Sequence, residues 1–388
     1  MAFNADLDSS SDPDPGTTTA VSAAAAQRSV AAIIMAAGEG SRMKSERPKP
    51  LHRLCGKPML WYVLDSFSEV DVAVAVIVVG HKAEWVTKRI GEEQVDVPLA
   101  FVEQSIQRGT GDAALMGVVG IPDEDDEGDV IVVAGDVPLL RSGTIRALVD
   151  QHRSAEAAAT VLTAQVDDAT GYGRIIRGTG GQVKRIVEHA DATDEERAIT
   201  EINTSIYCFR RSVLAPALRR LEPDNAQGEY YLTDVIAVLS GAGYKIDAVQ
   251  STDALETAGV NDRLQLAAAE AELRRRTNER LMSSGVTMFD PANTFIDTTV
   301  EVGRDVTLLP GTILQGSTRI GDGCEIGPNT RLVDCVVGPR SRIEEAAGRQ
   351  ARIGADAIVG PYAVLAPGSE LGDAAHTGPF YNSASGDS

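Results

Sequence analysis

Positive charge is in short supply in this sequence. Its 36 Lys and Arg stand against 56 Asp and Glu, for a formal net charge of −20. So acidic a chain is poorly matched to the phosphate backbone of nucleic acid or to an anionic membrane surface. The charge itself speaks to solubility rather than to fold. Cysteine is sparse too. Cys55, Cys208, Cys324 and Cys335 are scattered, with no Cys-x-x-Cys pair and no His beside them. That usage suits reduced thiols of a cytoplasmic protein and offers no zinc site. No apolar run exceeds eight residues; VAVAVIVV at 72–79 has the length of a buried strand and is too short to cross a bilayer. The N-terminal residues show neither the basic nor the apolar stretch of a secretory signal. A cytoplasmic protein without a nucleic-acid or membrane partner is therefore expected.

At 388 residues the chain has room for two or three domains. Residues 1–28 are rich in Asp, Ser, Pro, Thr and Ala and lack the apolar content that offsets ordering entropy, so they read as a disordered tail. Residues 374–388 read the same way. Over 29–261 the runs VAAIIMAA, VAVAVIVVG and GDVIVVAGD alternate with helical stretches. Strands apolar on both faces fit a parallel sheet covered by helices on each side. An open, mostly parallel α/β sheet follows, with its ligand beyond the carboxyl ends of the strands. Residues 262–285 begin with DRLQLAAAEAELRRRTNERLMS, strong helix formers without Gly or Pro, and predict one long linker helix.

The period changes beyond that helix, over 286–373. Val302, Leu308, Leu314, Ile320, Ile326 and Leu332 are spaced by six, and Ile353, Val359, Leu365 and Leu371 resume the spacing. Ten positions at a six-residue period mark a hexapeptide β-helix. A β-sandwich would alternate with period two. The intervening VGPRSRIEEAAGRQA breaks the register and is expected to loop out.

Scarce as cations are, five of them (Arg42, Lys44, Arg47, Lys49, Arg53) follow the first strand within the segment that starts at Gly38. Gly38-Glu39-Gly40 after a strand can bring backbone N–H groups close to phosphate oxygens. It is neither the dinucleotide fingerprint nor a P-loop. On its own it could equally be a tight turn beside a solvated basic face. Asp136, in VVAGDVPLL, follows a buried strand and either enters the ligand crevice as a Mg²⁺ ligand or caps the next helix.

MAAGEGSRMKSERPKPLHRLCGKPML resembles the signature of sugar nucleotidyltransferases, and more closely that of bacterial N-acetylglucosamine-1-phosphate uridylyltransferases. These form the first domain of the bifunctional enzymes that make UDP-N-acetylglucosamine. EQSIQRGTGDAAL, VVAGDVPLL, TGYGRIIR, RIVEHADAT, EINTSIYCF, NAQGEYYLTDVI and GVNDRLQLA continue the likeness in the family's order, over about 30–372. The resemblance implies a Rossmann-like nucleotidyltransferase sheet and a left-handed β-helix. It implies that Met35, Ala36, Ala37 and Gly38 hold the nucleotide, and that Arg42 and Lys49 are catalytic and grip the phosphates. Gln104 would read the uracil edge, with the Gly109-Thr110 turn beside it. Asp136 and Asn261 match the metal ligands, and Gly173, Glu188, Asn203, Tyr231 and Thr233 the sugar pocket. Asp112 stands where the family often has His, and Ser205 where it usually has Gly.

The implied reaction joins UTP and N-acetylglucosamine-1-phosphate, with Mg²⁺, to give UDP-N-acetylglucosamine and pyrophosphate. Another sugar-1-phosphate nucleotidyltransferase, or a non-catalytic sugar-nucleotide-binding subunit, are the alternatives. The β-helix is expected to assemble a homotrimer. The acetyltransferase activity of full-length relatives is expected to be absent, and His376, in a polar stretch without an orienting charge, is not expected to replace its catalytic histidine.

Overall fold

The computed structural model describes residues 28–122 and 128–384. The N-terminal tail expected over 1–28 lies, but for Arg28, outside them. The first domain is built on a nine-stranded sheet. Its main path runs Ile246–Gln250, Ala159–Gln165, Glu201–Arg210, Asp129–Ala134, Val30–Ala36, Val72–Val79, Leu99–Glu103. The strand Val30–Ala36 lies parallel to both neighbours, with Ile33 opposite Val76 on one side and Val132 on the other. Glu201–Arg210 runs antiparallel to the strands flanking it. Both faces are buried, as the continuous apolar runs require. Ile33, Val76 and Val132 pack on one face, and Ala32, Ile34, Ile77 and Ile131 on the other. The helix Thr110–Val119 sits close against the first of these faces. A Cβ on its Gly117 would lie 2.3 Å from Ile33 Cγ2, so only glycine permits that approach.

The linker helix spans Arg263–Ser283, capped by the Asp262 carboxylate, which accepts from the Leu264 and Gln265 amides at 2.9 Å each. Ala269 and Leu273 pack on Leu54, Cys55 and Met59 of the first domain, while Leu281 enters the core of the second. No helix among the described residues is long and apolar enough to cross a membrane.

The second domain stacks short parallel strands into three five-stranded sheets. Leu308, Leu314, Ile320, Ile326 and Leu332 all point into one core. Thr312, Thr318, Thr330 and Ser341 are fully buried as well. Their hydroxyls donate to backbone carbonyls, Thr312 to Leu309 at 2.7 Å and Ser341 to Gly354 at 2.8 Å. Burial of these polar groups is tolerated because each finds a partner.

Two expectations need correction here. VGPRSRIEEAAGRQA does not loop out: Val336–Val337, Arg342–Ile343 and Ala347–Arg349 continue the three sheets in parallel pairing. The spacing shortens to five at Val337, Gly348 and Ile353, and Gly348 occupies an inward position, so the hexad is hidden without being lost. A Cβ on Gly348 would stand 3.0 Å from Leu332 Cδ2. Nor is the stretch after 373 a disordered tail over its described part. His376 bridges Ile358 and Asn382 bridges Val364, both in parallel. Ile358 and Val364 donate to the carbonyls of Ala375 and Tyr381 at 2.8 Å each. The exposed backbone of the preceding coil orders a segment whose own composition is polar. Residues 385–388 lie outside the described residues.

Candidate active site

The first strand ends in the glycine loop, at the carboxyl edge of the sheet. Its two glycines are there for different reasons. Gly40 has φ +65, and a Cβ on it would meet Lys49 Cβ at 2.6 Å. Among the described residues, none beyond its two chain neighbours comes within 4 Å of a Cβ position on Gly38. Gly40 shapes the loop, whereas the space over Gly38 is left open.

Lys49 reaches across this edge. Its ammonium is paired with the Asp136 carboxylate and donates to Asn261 Oδ1 at 2.8 Å. Arg42 Nη2 donates to the same amide oxygen at 3.0 Å. The backbone brings the partners together: Val260 N–H donates to the Asp136 carbonyl at 2.8 Å, which sets Asn261 alongside. Asp136 does not cap the following helix, which starts after Arg141 without a side-chain cap. Of the five cations, Arg42 and Lys49 converge. Lys44 is exposed, and Arg47 and Arg53 line a separate groove with Trp85 and Lys88.

A cleft of about 350 Å³ opens beside this cluster, lined by Met35, Ala36, Ala37, Gly38, Lys49, Gln104, Gly109, Thr110, Asp136 and Ser205. Thr110 serves partly as a brace, its hydroxyl accepting from Leu232 N–H at 3.0 Å. Gln107 escaped the sequence reading, and Asp112 was noted there without a partner. Gln107 Nε2 donates to the Ala37 carbonyl at 2.7 Å and lines the same cleft. Asp112 accepts from Gln104 Nε2 at 2.8 Å. Gln107 stands inside a motif read for its neighbours, and its backbone partner leaves no trace in sequence.

The five residues expected to bind sugar do not line that cleft. They form an adjoining group, with Asn203 two residues before Ser205 and Tyr231 two residues after Glu229; Ser205 and Glu229 both line the cleft. Thr233 Oγ1 donates to Glu188 Oε1 at 3.1 Å. Asn203 N–H donates to the Gly173 carbonyl at 2.9 Å, and a Cβ on Gly173 would stand 3.4 Å from Glu188 Oε2. Asn203 Nδ2 donates to Tyr207 OH at 2.8 Å, and its Oδ1 accepts from Ser205 N–H at 3.2 Å. Ser205 adopts φ +61, a region that glycine enters freely, which explains the family's glycine there. Burial pushes the Glu188 carboxyl up, with the Thr233 bond opposing it and Asp234 and Asp191 adding to it. Burial, together with Asp191 and Glu188, pushes the Tyr231 hydroxyl up to about 12. That hydroxyl is buried with no hydrogen-bond partner among the described residues. A buried orphan donor beside a carboxylate and an amide is suited to sugar hydroxyls.

Among the described residues, no three His, Cys, Asp or Glu side chains group as a metal cage. Asp136 and Asn261 instead supply one carboxylate and one amide oxygen, both hard donors. That set fits a cation that keeps several waters and takes the rest of its shell from substrate phosphates, and it does not fit zinc.

Residues 31–257 match the nucleotidyl transferase family, and residues 299–333 match the bacterial transferase hexapeptide (six repeats) family. The chain is 46% identical over 354 residues to the bifunctional protein GlmU of Streptomyces avermitilis, covering 91% of this chain and 73% of that one. It is 47% identical over 358 residues to GlmU of Streptomyces coelicolor, with the same coverage of 91% and 73%. It is 47% identical over 357 residues to GlmU of Mycolicibacterium vanbaalenii, covering 91% and 72%. A divalent metal accompanies this family and fold, in keeping with the donor pair at Asp136 and Asn261. With the α/β sheet, the stacked coils and the cluster of Arg42, Lys49, Asp136 and Asn261 all in place, the chain belongs to the family of the bifunctional protein GlmU.

Proposed function

We propose that this chain transfers the uridylyl group of UTP to N-acetylglucosamine-1-phosphate, giving UDP-N-acetylglucosamine and pyrophosphate. The observation that carries the reading is the convergence of Lys49, Arg42, Asp136 and Asn261 at one end of a cleft that has Gln104 among its lining. The hydroxyl-binding group of Glu188, Asn203, Tyr231 and Thr233 adjoins that cleft.

A phosphate oxygen of the sugar phosphate attacks the α-phosphorus of UTP. The bond from that phosphorus to the bridging oxygen breaks, and pyrophosphate leaves with the electron pair. The nucleophile is already an anion, so no general base is needed. The obstacle is repulsion between two polyanions. Arg42 and Lys49 offset it. Asp136 and Asn261 would hold Mg²⁺, whose chemistry when bound is to neutralise phosphate charge and align the displacement. Each such charge stabiliser is worth about 10²–10³ in kcat in comparable sites. In this reading Gln104 reads the base and the backbone from Met35 to Gly38 carries the nucleotide, both lining the same cleft.

The β-helix serves assembly, and the assembly is a homotrimer. Val336, Ile358 and Val364 keep 38%, 43% and 48% of their surface exposed, one on each of the three sheets, and offer apolar contacts to neighbouring copies. All four cysteines are buried free thiols, which supports a cytoplasmic setting. The direct test is a substrate panel with Mg²⁺, in which products are identified by mass. UTP with N-acetylglucosamine-1-phosphate is expected to yield the nucleotide sugar. Preference for another nucleotide or sugar phosphate would replace this reading with a different nucleotidyl transfer.

A further inference from the structure

Gln104 follows the strand Leu99–Glu103, and its backbone N–H is fixed to the Val79 carbonyl at 2.8 Å. Its side chain is buried, 5% exposed, in the lining of the nucleotide cleft. A glutamine amide offers a donor on one side and an acceptor on the other, and a pocket that leaves it free to flip reads nothing reliably. Here the flip is blocked. Gln104 Nε2 donates to Asp112 Oδ2 at 2.8 Å and to the Gly109 carbonyl at 3.3 Å. A carboxylate and a backbone carbonyl are both acceptors, so only the NH₂ side of the amide can face them. The reverse orientation would set three oxygens against one another and leave them unpaired, at a substantial cost in a buried site. The Oε1 side accepts no hydrogen bond from any described residue and is left for the ligand.

We propose that Asp112 is a specificity-determining positioning residue. It locks Gln104 as a hydrogen-bond acceptor, so that the cleft takes a pyrimidine carrying an imino N–H, as uracil does, and rejects cytosine, whose ring nitrogen at that position is itself an acceptor. This rests on Gln104 being the base reader in the proposed uridylyl transfer. Asp112 stands in the first turn of the helix Thr110–Val119, one turn of chain from Gly109, and acts only through Gln104.

The test is steady-state kinetics of the full chain with UTP and with CTP, for the wild type and for Asp112→Asn. Asparagine keeps the shape but can also donate to Gln104, so that only the longer 3.3 Å bond to the Gly109 carbonyl still opposes turning of the amide. The ratio of kcat/KM for UTP to that for CTP is expected to fall at least about tenfold, since sites built to hydrogen-bond one partner owe their selectivity to groups left unpaired by the other. The change should appear in the nucleotide KM, with the KM for the sugar phosphate as the internal reference. Asp112→Ala must move the ratio in the same direction, which guards against a peculiarity of the asparagine. A wild type that uses UTP, with either variant keeping the wild-type ratio, overturns the role of Asp112. A wild type that does not use UTP overturns the uridylyl reading and this inference with it.

Discussion

Gly38 and Gly40 look interchangeable in the sequence, yet the structure gives them different burdens. Gly38→Ala adds a methyl where, among the described residues, none beyond its chain neighbours lies within 4 Å, so it should fold normally and raise the KM for UTP. Gly40→Ala forces an L side chain into φ +65 against Lys49, so it should lower stability by about 1–3 kcal/mol. Melting curves and UTP kinetics on both variants check the pair; equal effects on binding and stability would mean the space over Gly38 is not a ligand's. Glu188 makes a pH prediction. Its carboxyl is raised above its ordinary 4.5, mainly by burial. The stability tied to its neutral form is therefore complete below 4.5 and is lost as pH rises through the raised value. Glu188→Gln should gain on the wild type over that window and lose the advantage below it, as read from the difference in Tm against pH. A difference that does not vary with pH would show that Glu188 does not titrate in this way. At this scale the sequence conveyed residue types but not partners. Arg42, Lys49, Asp136 and Asn261 stood out as charge and metal chemistry and do converge. Asp112 passed as a minor departure because its meaning lies in the orientation of another side chain.

Elements were legible wherever burial imposes a period. Strands buried on both faces read as unbroken apolar runs, and the linker helix as an uninterrupted stretch of helix formers. The β-helix was clear where each face holds six residues and opaque where a face holds five. There, Gly348 fills an inward position usually given to an aliphatic side chain, and coils pair 16 residues apart, as Arg331 does with Ala347. The last coil was illegible for a different reason: backbone hydrogen bonds from Ile358 and Val364 order it, and these depend on the neighbouring coil rather than on its own side chains. Leu332, fully buried in the solenoid core, tests whether the two regions bear separate loads. Leu332→Ala should cost the β-helix about 2–5 kcal/mol, as large-to-small core changes do. Its melting transition should drop while uridylyl kcat stays within about twofold of wild type, given that surface-remote sites act independently. Parallel loss of melting temperature and kcat would instead make the solenoid part of the catalytic unit.

For the whole molecule, a formal net charge of −20 sharpens the contrast with one basic edge of the first domain. That edge is narrower than the sequence suggested, because Arg47 and Arg53 face a different groove. The proposed trimer makes a simple prediction: light scattering should return three times the 40.9 kDa chain mass, and a monomeric mass would remove assembly from the duties of the β-helix. The most direct test of the central claim is pyrophosphate release from UTP, dependent on N-acetylglucosamine-1-phosphate and Mg²⁺, measured side by side for the wild type, Lys49→Ala and Asp136→Ala. The expected result is wild-type turnover that falls at least about 100-fold in each folded variant, the scale of one lost charge stabiliser. Turnover near the wild-type rate in either variant, or no sugar-phosphate-dependent release from the wild type, would contradict it.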